Sequence, residues 1–165
     1  MRRVVSNTGP ILRLSEIDAL DLLQEVGAVH IPPAVQEELQ RALAEWSSRR
    51  PEWIQVIDVD SAHMVELQPW MDTEAIHIGE AAALALARQI QADWFLTDDA
   101  AARLVGRTMN LEVHGTIGIL LWAAGARRLE AREAEGFLDR LSRSSLWMSP
   151  RVLAQARSAL RVICP

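Results

Sequence analysis

The sequence predicts an α/β protein, a three-layer α/β/α sandwich around a central, mainly parallel sheet of five strands. Short apolar segments alternate with longer segments of helical spacing, which is typical of a parallel sheet covered by helices on both faces. Several of the short segments stop directly on polar or acidic residues, as strands do at the ligand-binding edge of an open sheet. The length of 165 residues fits one domain, so we expect residues 1–165 to form a single domain whose C-terminal helices run from about 130 to 160.

The predicted strands are short apolar runs that end at turn or polar residues. They lie at 3–6, 28–31, 53–59, 94–96 and 111–114. Right-handed crossovers are the strong default between parallel strands. A natural arrangement of five such strands places the first one centrally, next to the fourth. Their carboxyl ends then meet at the switch in strand order, and Asn7 faces Asp98 and Asp99 across that crevice.

The predicted helices have apolar residues at helical spacing and recognisable ends. Pro10 fits the first turn of the first helix, which has a break near residues 16–18 and ends at Gly27. The alanine-rich segment from Gly79 is the strongest helix former. The predicted spans are 11–26, 33–46, 61–70, 79–92, 100–107, 117–125, 130–144 and 150–160.

Composition and charge narrow the class of protein. The net charge of −5 argues against a surface that attracts nucleic acid as a whole, although it permits a local basic rim. Cys164 is the single cysteine, so an internal disulfide and a cysteine-based metal site are excluded. No apolar run approaches the roughly 18 residues of a membrane helix. The N-terminus lacks the pattern of a signal peptide. We therefore expect a cytoplasmic protein without membrane association.

Polar side chains from four segments fall on the predicted carboxyl edge of the sheet: Asn7, Glu38, Glu80, Asp98 and Asp99. Each has a structural explanation, because aspartate is a favoured N-cap and glutamate in a first turn complements the helix dipole. Together, however, clustered carboxylates repel one another unless they are neutralised. Mg²⁺ or Mn²⁺, which prefers oxygen ligands, is the usual neutraliser and can activate water for phosphodiester hydrolysis.

Histidine and tryptophan provide weaker indications. His77 and His114 are not spaced as zinc ligands, and we expect structural or solvent-exposed roles for both. The six tryptophans are scattered through elements at core-facing spacings, which favours core and interface packing over base stacking.

The ordered motifs VVSNTGPIL, IPPAVQEEL, HIGEAAALALA, WFLTDDAAAR and VHGTIGIL resemble those of PIN domains. The resemblance covers nearly the whole chain and is closest to a mostly uncharacterised prokaryotic branch. It implies a central parallel sheet between helices and an acidic pocket that binds Mg²⁺ or Mn²⁺. Many PIN domains are ribonucleases, and many prokaryotic ones are VapC-type toxins paired with an antitoxin.

The resemblance assigns roles to particular residues. Glu38 matches the acid of the second conserved helix, and Glu80 matches the acid of the GEA motif. Asp99 fits the T-x-D spacing of the wider family, whereas Asp98 is an additional acid. Thr8 and Thr116 would supply hydroxyl contacts to a metal-bound water or a phosphate.

The sequence departs from the family pattern at Asn7, which stands where the family usually has its first aspartate. An amide oxygen can still ligate a hard cation, but it brings no charge. Weaker metal binding and weaker activation of water are the expected consequences, and Asp98 is a candidate for compensation.

The leading hypothesis is an Mg²⁺- or Mn²⁺-dependent endoribonuclease that acts as a homodimer on RNA, with the toxin of a type II toxin–antitoxin pair as its specific form. The alternative is a catalytically weak or inactive PIN-like module that binds RNA or a protein partner. A phosphatase of the haloacid dehalogenase type is disfavoured, because that class needs aspartates directly after the first strand and this chain has Ser-Asn-Thr-Gly there.

Overall fold

A computed structural model describes residues 1–164 and contains a five-stranded parallel sheet with strand order β3-β2-β1-β4-β5. The strands are β1 (Arg3–Ser6), β2 (Ala28–Ile31), β3 (Ile54–Val56), β4 (Trp94–Leu96) and β5 (Val113–His114). The helices are α1 (Thr8–Glu16), α2 (Leu22–Val26), α3 (Pro33–Ala42), α4 (Trp46–Arg49), α5 (Ser61–Asp72), α6 (Ile78–Gln89), α7 (Ala100–Thr108), α8 (Thr116–Gly125), α9 (Ala131–Ser142) and α10 (Pro150–Ile163).

Strand β1 is the centre of the sheet, and this confirms its predicted place beside β4. Val4 is in register with Val29 of β2 on one side and with Trp94 of β4 on the other. Beyond the strands, the backbone N–H of Asn7 donates to the carbonyl of Leu96 at 2.8 Å. The carboxyl ends of β1 and β4 are therefore joined directly where the strand order reverses.

Helices cover the sheet in two groups, which gives the predicted three-layer α/β/α architecture. Helix α6 packs on β1 and against α3, α5 and α7, whereas α8 packs against α1, α2, α9 and α10. The sheet interior is fully buried, as parallel sheets covered on both faces are. Val4 and Val5 of β1 and Phe95 and Leu96 of β4 have no exposed surface. Within residues 1–164, no helix combines the length and the apolar character needed to cross a membrane.

The first helix starts earlier than its apolar spacing predicts. The side chain of Asn7 accepts a hydrogen bond from the backbone N–H of Thr8 at 2.9 Å and caps α1, so the helix includes Thr8 and Gly9. Pro10 lies in its first turn, as predicted, where its missing N–H leaves no helical hydrogen bond unmade. The predicted break after residue 16 is confirmed, because α1 ends at Glu16 and α2 begins at Leu22.

The other differences lie at the ends of elements. The predicted helix 33–46 is divided into α3 and the short α4, and the edge strands β3 and β5 are shorter than predicted because edge strands have only one partner. Helix α5 continues to Asp72, and it is capped by Asp60, not by Ser61: Oδ1 of Asp60 accepts from the backbone N–H of His63 at 2.8 Å. That hydrogen bond, with a second from the His63 ring, lowers the pKa of Asp60.

Candidate active site at the carboxyl edge of the sheet

Asn7 lies at the junction of β1 and β4 and is only 4% exposed. Its Oδ1 accepts from the N–H of Thr8, and its Nδ2 donates to the hydroxyl oxygen of Thr97 at 3.4 Å. Thr97, which is fully buried, also accepts from the backbone N–H of Asp99 at 3.1 Å. The amide of Asn7 is therefore fixed by its contacts. Because a carbonyl oxygen has two lone pairs, Oδ1 keeps one acceptor position after capping α1.

Glu38 reaches this junction from α3. It is half-buried, and its Oε2 accepts a short hydrogen bond from the hydroxyl of Thr8. Its carboxylate also lies against the first turn of α6, because a Cβ built on Gly79 would overlap with Oε1 of Glu38. The positive end of a helix dipole favours a carboxylate in that place. Thr8 and Gly79 thus hold Glu38 at the edge from two different elements.

Gly79 provides a test of this packing. We expect Gly79→Ala to displace the Glu38 carboxylate and to weaken any activity that depends on it by roughly tenfold or more, since a misplacement of about 1 Å can cost about a hundredfold. Stability should not fall, because alanine is favoured over glycine inside helices by about 1 kcal/mol and the displaced group is the flexible end of a side chain. Thermal unfolding and the activity assay, made on the same preparations, check both parts. Gly136→Ala is the matched control, since a Cβ there meets nothing within 4 Å.

Asp98, which follows β4, is held by the first residue of α8. Its Oδ1 accepts from the backbone N–H of Thr116 at 2.8 Å, and its Oδ2 accepts from the hydroxyl of Thr116 at 2.6 Å. A Cβ on Gly9 would lie 3.5 Å from Oδ2, which is ordinary van der Waals contact. Asp98 is therefore bound to the first turn of α8 and lies near the first turn of α1. The buried hydroxyl of Thr116, for which a contact to water or phosphate was expected, is used here to position Asp98.

Asp99 and Glu80 each stabilise the start of a helix, which is the structural role that the sequence also allowed for them. Oδ1 of Asp99 accepts from the backbone N–H of Ala102 at 2.7 Å and caps α7. Oε2 of Glu80 accepts from the N–H of His77 at 2.8 Å in a reciprocal capping box. Each of these bonds uses one of the two carboxylate oxygens. Both acids therefore bring negative charge to the edge while they stabilise a helix end.

The oxygen donors at this edge fit Mg²⁺ or Mn²⁺ in their chemistry. Across residues 1–164, however, no three His, Cys, Asp or Glu side chains lie close enough together to hold an ion. Mg²⁺ usually keeps several waters and is bound through one or two carboxylates together with substrate phosphates. The described residues therefore offer at most a partial set of ligands, and a substrate phosphate would have to complete the coordination of an ion.

The structure adds Arg103 and Thr97 to the edge, and sequence reasoning missed both. Nη2 of Arg103 donates to the carbonyl of Thr97 at 3.1 Å and would lie 2.6 Å from a Cβ on Gly115. Nothing in the sequence distinguishes Arg103 from the other arginines except its place one turn after Asp99. The sequence does give a signal for Thr97, which is the single residue between the apolar run of β4 and the two aspartates.

The histidines have the structural roles that we expected. His77 takes part in the capping box of α6. The ring of His114 lies 3.9 Å from that of Trp94, between centroids, and its Nε2 is 2.8 Å from Oε1 of Glu112. Of the predicted core and interface packing, the core role is confirmed for Trp46 and Trp94, which are buried, whereas Trp147 is 86% exposed and lies outside the core. Trp147 lies in the connection between α9 and α10, where helical spacing does not predict which side chains face the core.

The strand order defines an open α/β protein in which the carboxyl edge, where the strand order reverses, is the candidate ligand site. A family model described as "PIN domain" matches residues 3–161, and the chain belongs to the PIN-domain family. PIN domains are generally nucleases that act on RNA or DNA and use divalent metal ions, so the chain has a nuclease-type fold. Comparison with curated proteins finds no significant match.

Proposed function

We propose that this protein is an Mg²⁺- or Mn²⁺-dependent endoribonuclease. Its proposed site comprises Asn7, Glu38, Glu80, Asp98 and Asp99, with Thr8 and Thr116 as supporting hydroxyls. The observation that carries the proposal is the placement of Glu38 and Asp98 against one turn of backbone. Thr8 binds Glu38, and a Cβ built on Gly9 would meet Asp98 at van der Waals distance, at the point where β1 and β4 meet.

The chemistry follows from what each residue is able to hold. A bound divalent ion would polarise the phosphodiester and lower the pKa of an attacking water. Glu38 and Asp98 would bind it, because their carboxylates are oriented by Thr8 and Thr116. The second acceptor position of Asn7 would add a neutral oxygen ligand. Asp99 and Glu80 would raise the local negative charge while each retains its capping bond.

The test is cleavage of a panel of structured and single-stranded RNAs by the purified protein in Mg²⁺, in Mn²⁺ and in EDTA. We expect cleavage with either metal and none in EDTA. Mn²⁺ should bind measurably more tightly when a non-cleavable RNA is present, since the protein alone offers an incomplete set of ligands. Cleavage that continues in EDTA, or no cleavage with either metal, would contradict the proposal.

A catalytically weak or inactive module that binds RNA or a protein partner is the second candidate. It is favoured by the uncharged Asn7 and by the use of Asp99 and Glu80 as helix caps. RNA or partner binding that is insensitive to EDTA, together with the absence of cleavage, would support this candidate over the nuclease.

The proposed partners in the cytoplasm are an RNA substrate, a second copy of the chain and, in the toxin form, a cognate antitoxin. Exposed apolar side chains at the end of α10 offer a surface for the protein contacts. Val162 is 81% exposed there and Ile163 is 39% exposed. Burial of apolar side chains of this size against a partner would stabilise the complex.

A further inference from the structure

A pocket of about 320 Å³ adjoins the acidic edge and is lined in part by Asp98. This volume is at the lower end of the range of ligand pockets, roughly 300–1,000 Å³. Its wall comes from β5, from Asp98 and α7, from the starts of α8 and α10 and from the connection between α9 and α10. The residues that matter for its chemistry are Asp98, Arg103, His114, Leu146, Trp147 and Val152.

Trp147 is the most unusual member of this wall. Its 86% exposure contrasts with the other tryptophans, each of which is buried or half-buried. A large aromatic ring left in water loses the stabilisation that burial provides. The same ring is an effective platform for an unpaired base, because base–aromatic stacking is favourable for every base.

Arg103 supplies a positive charge between the pocket and the acidic edge. One hydrogen bond to the Thr97 carbonyl fixes the guanidinium, which has five donors in all. In the described chain, residues 1–164, it forms no salt bridge with a carboxylate. A Cβ on Gly115 would lie 2.6 Å from Nη2 of Arg103 and 3.0 Å from Oδ1 of Asp98, so both groups lie over the same glycine. Arg103 therefore offsets the repulsion that Asp98 would exert on a phosphate.

We propose that this pocket is a subsite for one unpaired nucleotide of a single-stranded RNA. The base stacks on Trp147, the adjoining phosphate contacts Arg103, and the chain continues to the acidic edge at Asp98. This inference rests on the proposed nuclease function, because Asp98 belongs to the site of that proposal. A duplex is excluded from the pocket, since a paired base has its faces covered by its neighbours and cannot reach the tryptophan.

The test is binding of a fluorescent single-stranded RNA of ten nucleotides in EDTA, measured by anisotropy, so that no cleavage contributes. We expect Trp147→Ala to weaken binding by roughly tenfold and Trp147→Phe to retain most of it. Arg103→Gln should weaken binding and reduce its dependence on salt, since a phosphate contact is lost. The controls are Val65→Ala, an exposed apolar side chain on α5, and Arg107→Gln, an exposed arginine one turn further along α7.

Binding and cleavage measurements test the nucleotide subsite and the nuclease activity separately. Loss of binding in Trp147→Ala without metal-dependent cleavage by the wild-type protein would leave the subsite standing and overturn the nuclease. Metal-dependent cleavage with unchanged binding in Trp147→Ala would overturn the subsite alone. Equal binding of the single strand and of its duplex, or no binding of either by the wild-type protein, would also overturn the subsite. An unchanged melting temperature of the variants shows that each result concerns the surface and not the fold.

Discussion

The double substitution Asp98→Asn with Asp99→Asn is expected to lower metal-dependent RNA cleavage by about a hundredfold or more. Two negative charges are removed from the edge, and the amide groups that replace them are weaker ligands for a hard cation. The capping bond from Ala102 to residue 99 should survive, because asparagine caps helices about as well as aspartate. Initial rates at saturating Mn²⁺, made beside thermal unfolding of the same samples, measure the effect.

The matched control is Asp60→Asn. Asp60 also caps a helix, but it lies beside Gln89 at the end of α6 opposite Gly79. Gln89 is the last and Ile78 the first of the 12 residues of α6, which places the control roughly 16 Å from the acidic edge at a rise of about 1.5 Å per residue. The control should cleave like the wild-type protein. Equal rates for the double variant and the wild type would show that neither aspartate takes part in cleavage.

Asn7→Asp is expected to raise cleavage and to lower the Mn²⁺ concentration needed for half-maximal rate by roughly tenfold, because affinity for a hard cation rises with the number of charged ligands. The fold should accept the change. Aspartate keeps the cap on α1, and the hydroxyl of Thr97 is able to donate to the new carboxylate in place of the bond it now receives. Metal titrations of initial rate, with and without the substitution, give the comparison.

Asn7→Ala completes this series. It removes both the amide oxygen and the cap, so we expect lower activity together with a loss of about 1 kcal/mol of stability. If Asn7→Asp binds no Mn²⁺ and cleaves no RNA, the edge is not a metal site even when its missing charge is supplied. The non-catalytic module would then be the better account of this protein.

Much of the fold follows from patterns along the chain. The apolar segments from Val4 and from Trp94 stop at polar residues, so they are recognisable as buried strands that end at a sheet edge. Central placement of β1 beside β4 follows from that class of fold and is confirmed by the register of Val5 with Phe95. Helix ends were predicted less well. The cap at Asn7 and the extension of α5 depend on hydrogen bonds that apolar spacing does not encode.

By itself, the sequence determined the α/β class and the family, because apolar spacing and family motifs are local properties of the chain. It also predicted that Asn7, Glu38, Glu80, Asp98 and Asp99 belong to one edge. Only the tertiary structure decided how those acids are engaged. The partners of Glu38 and Asp98 are Thr8 and Thr116, which are 30 and 18 residues away. Trp147 and Arg103 likewise meet at one pocket across a long stretch of chain. Contacts between distant segments depend on packing, which no local pattern specifies.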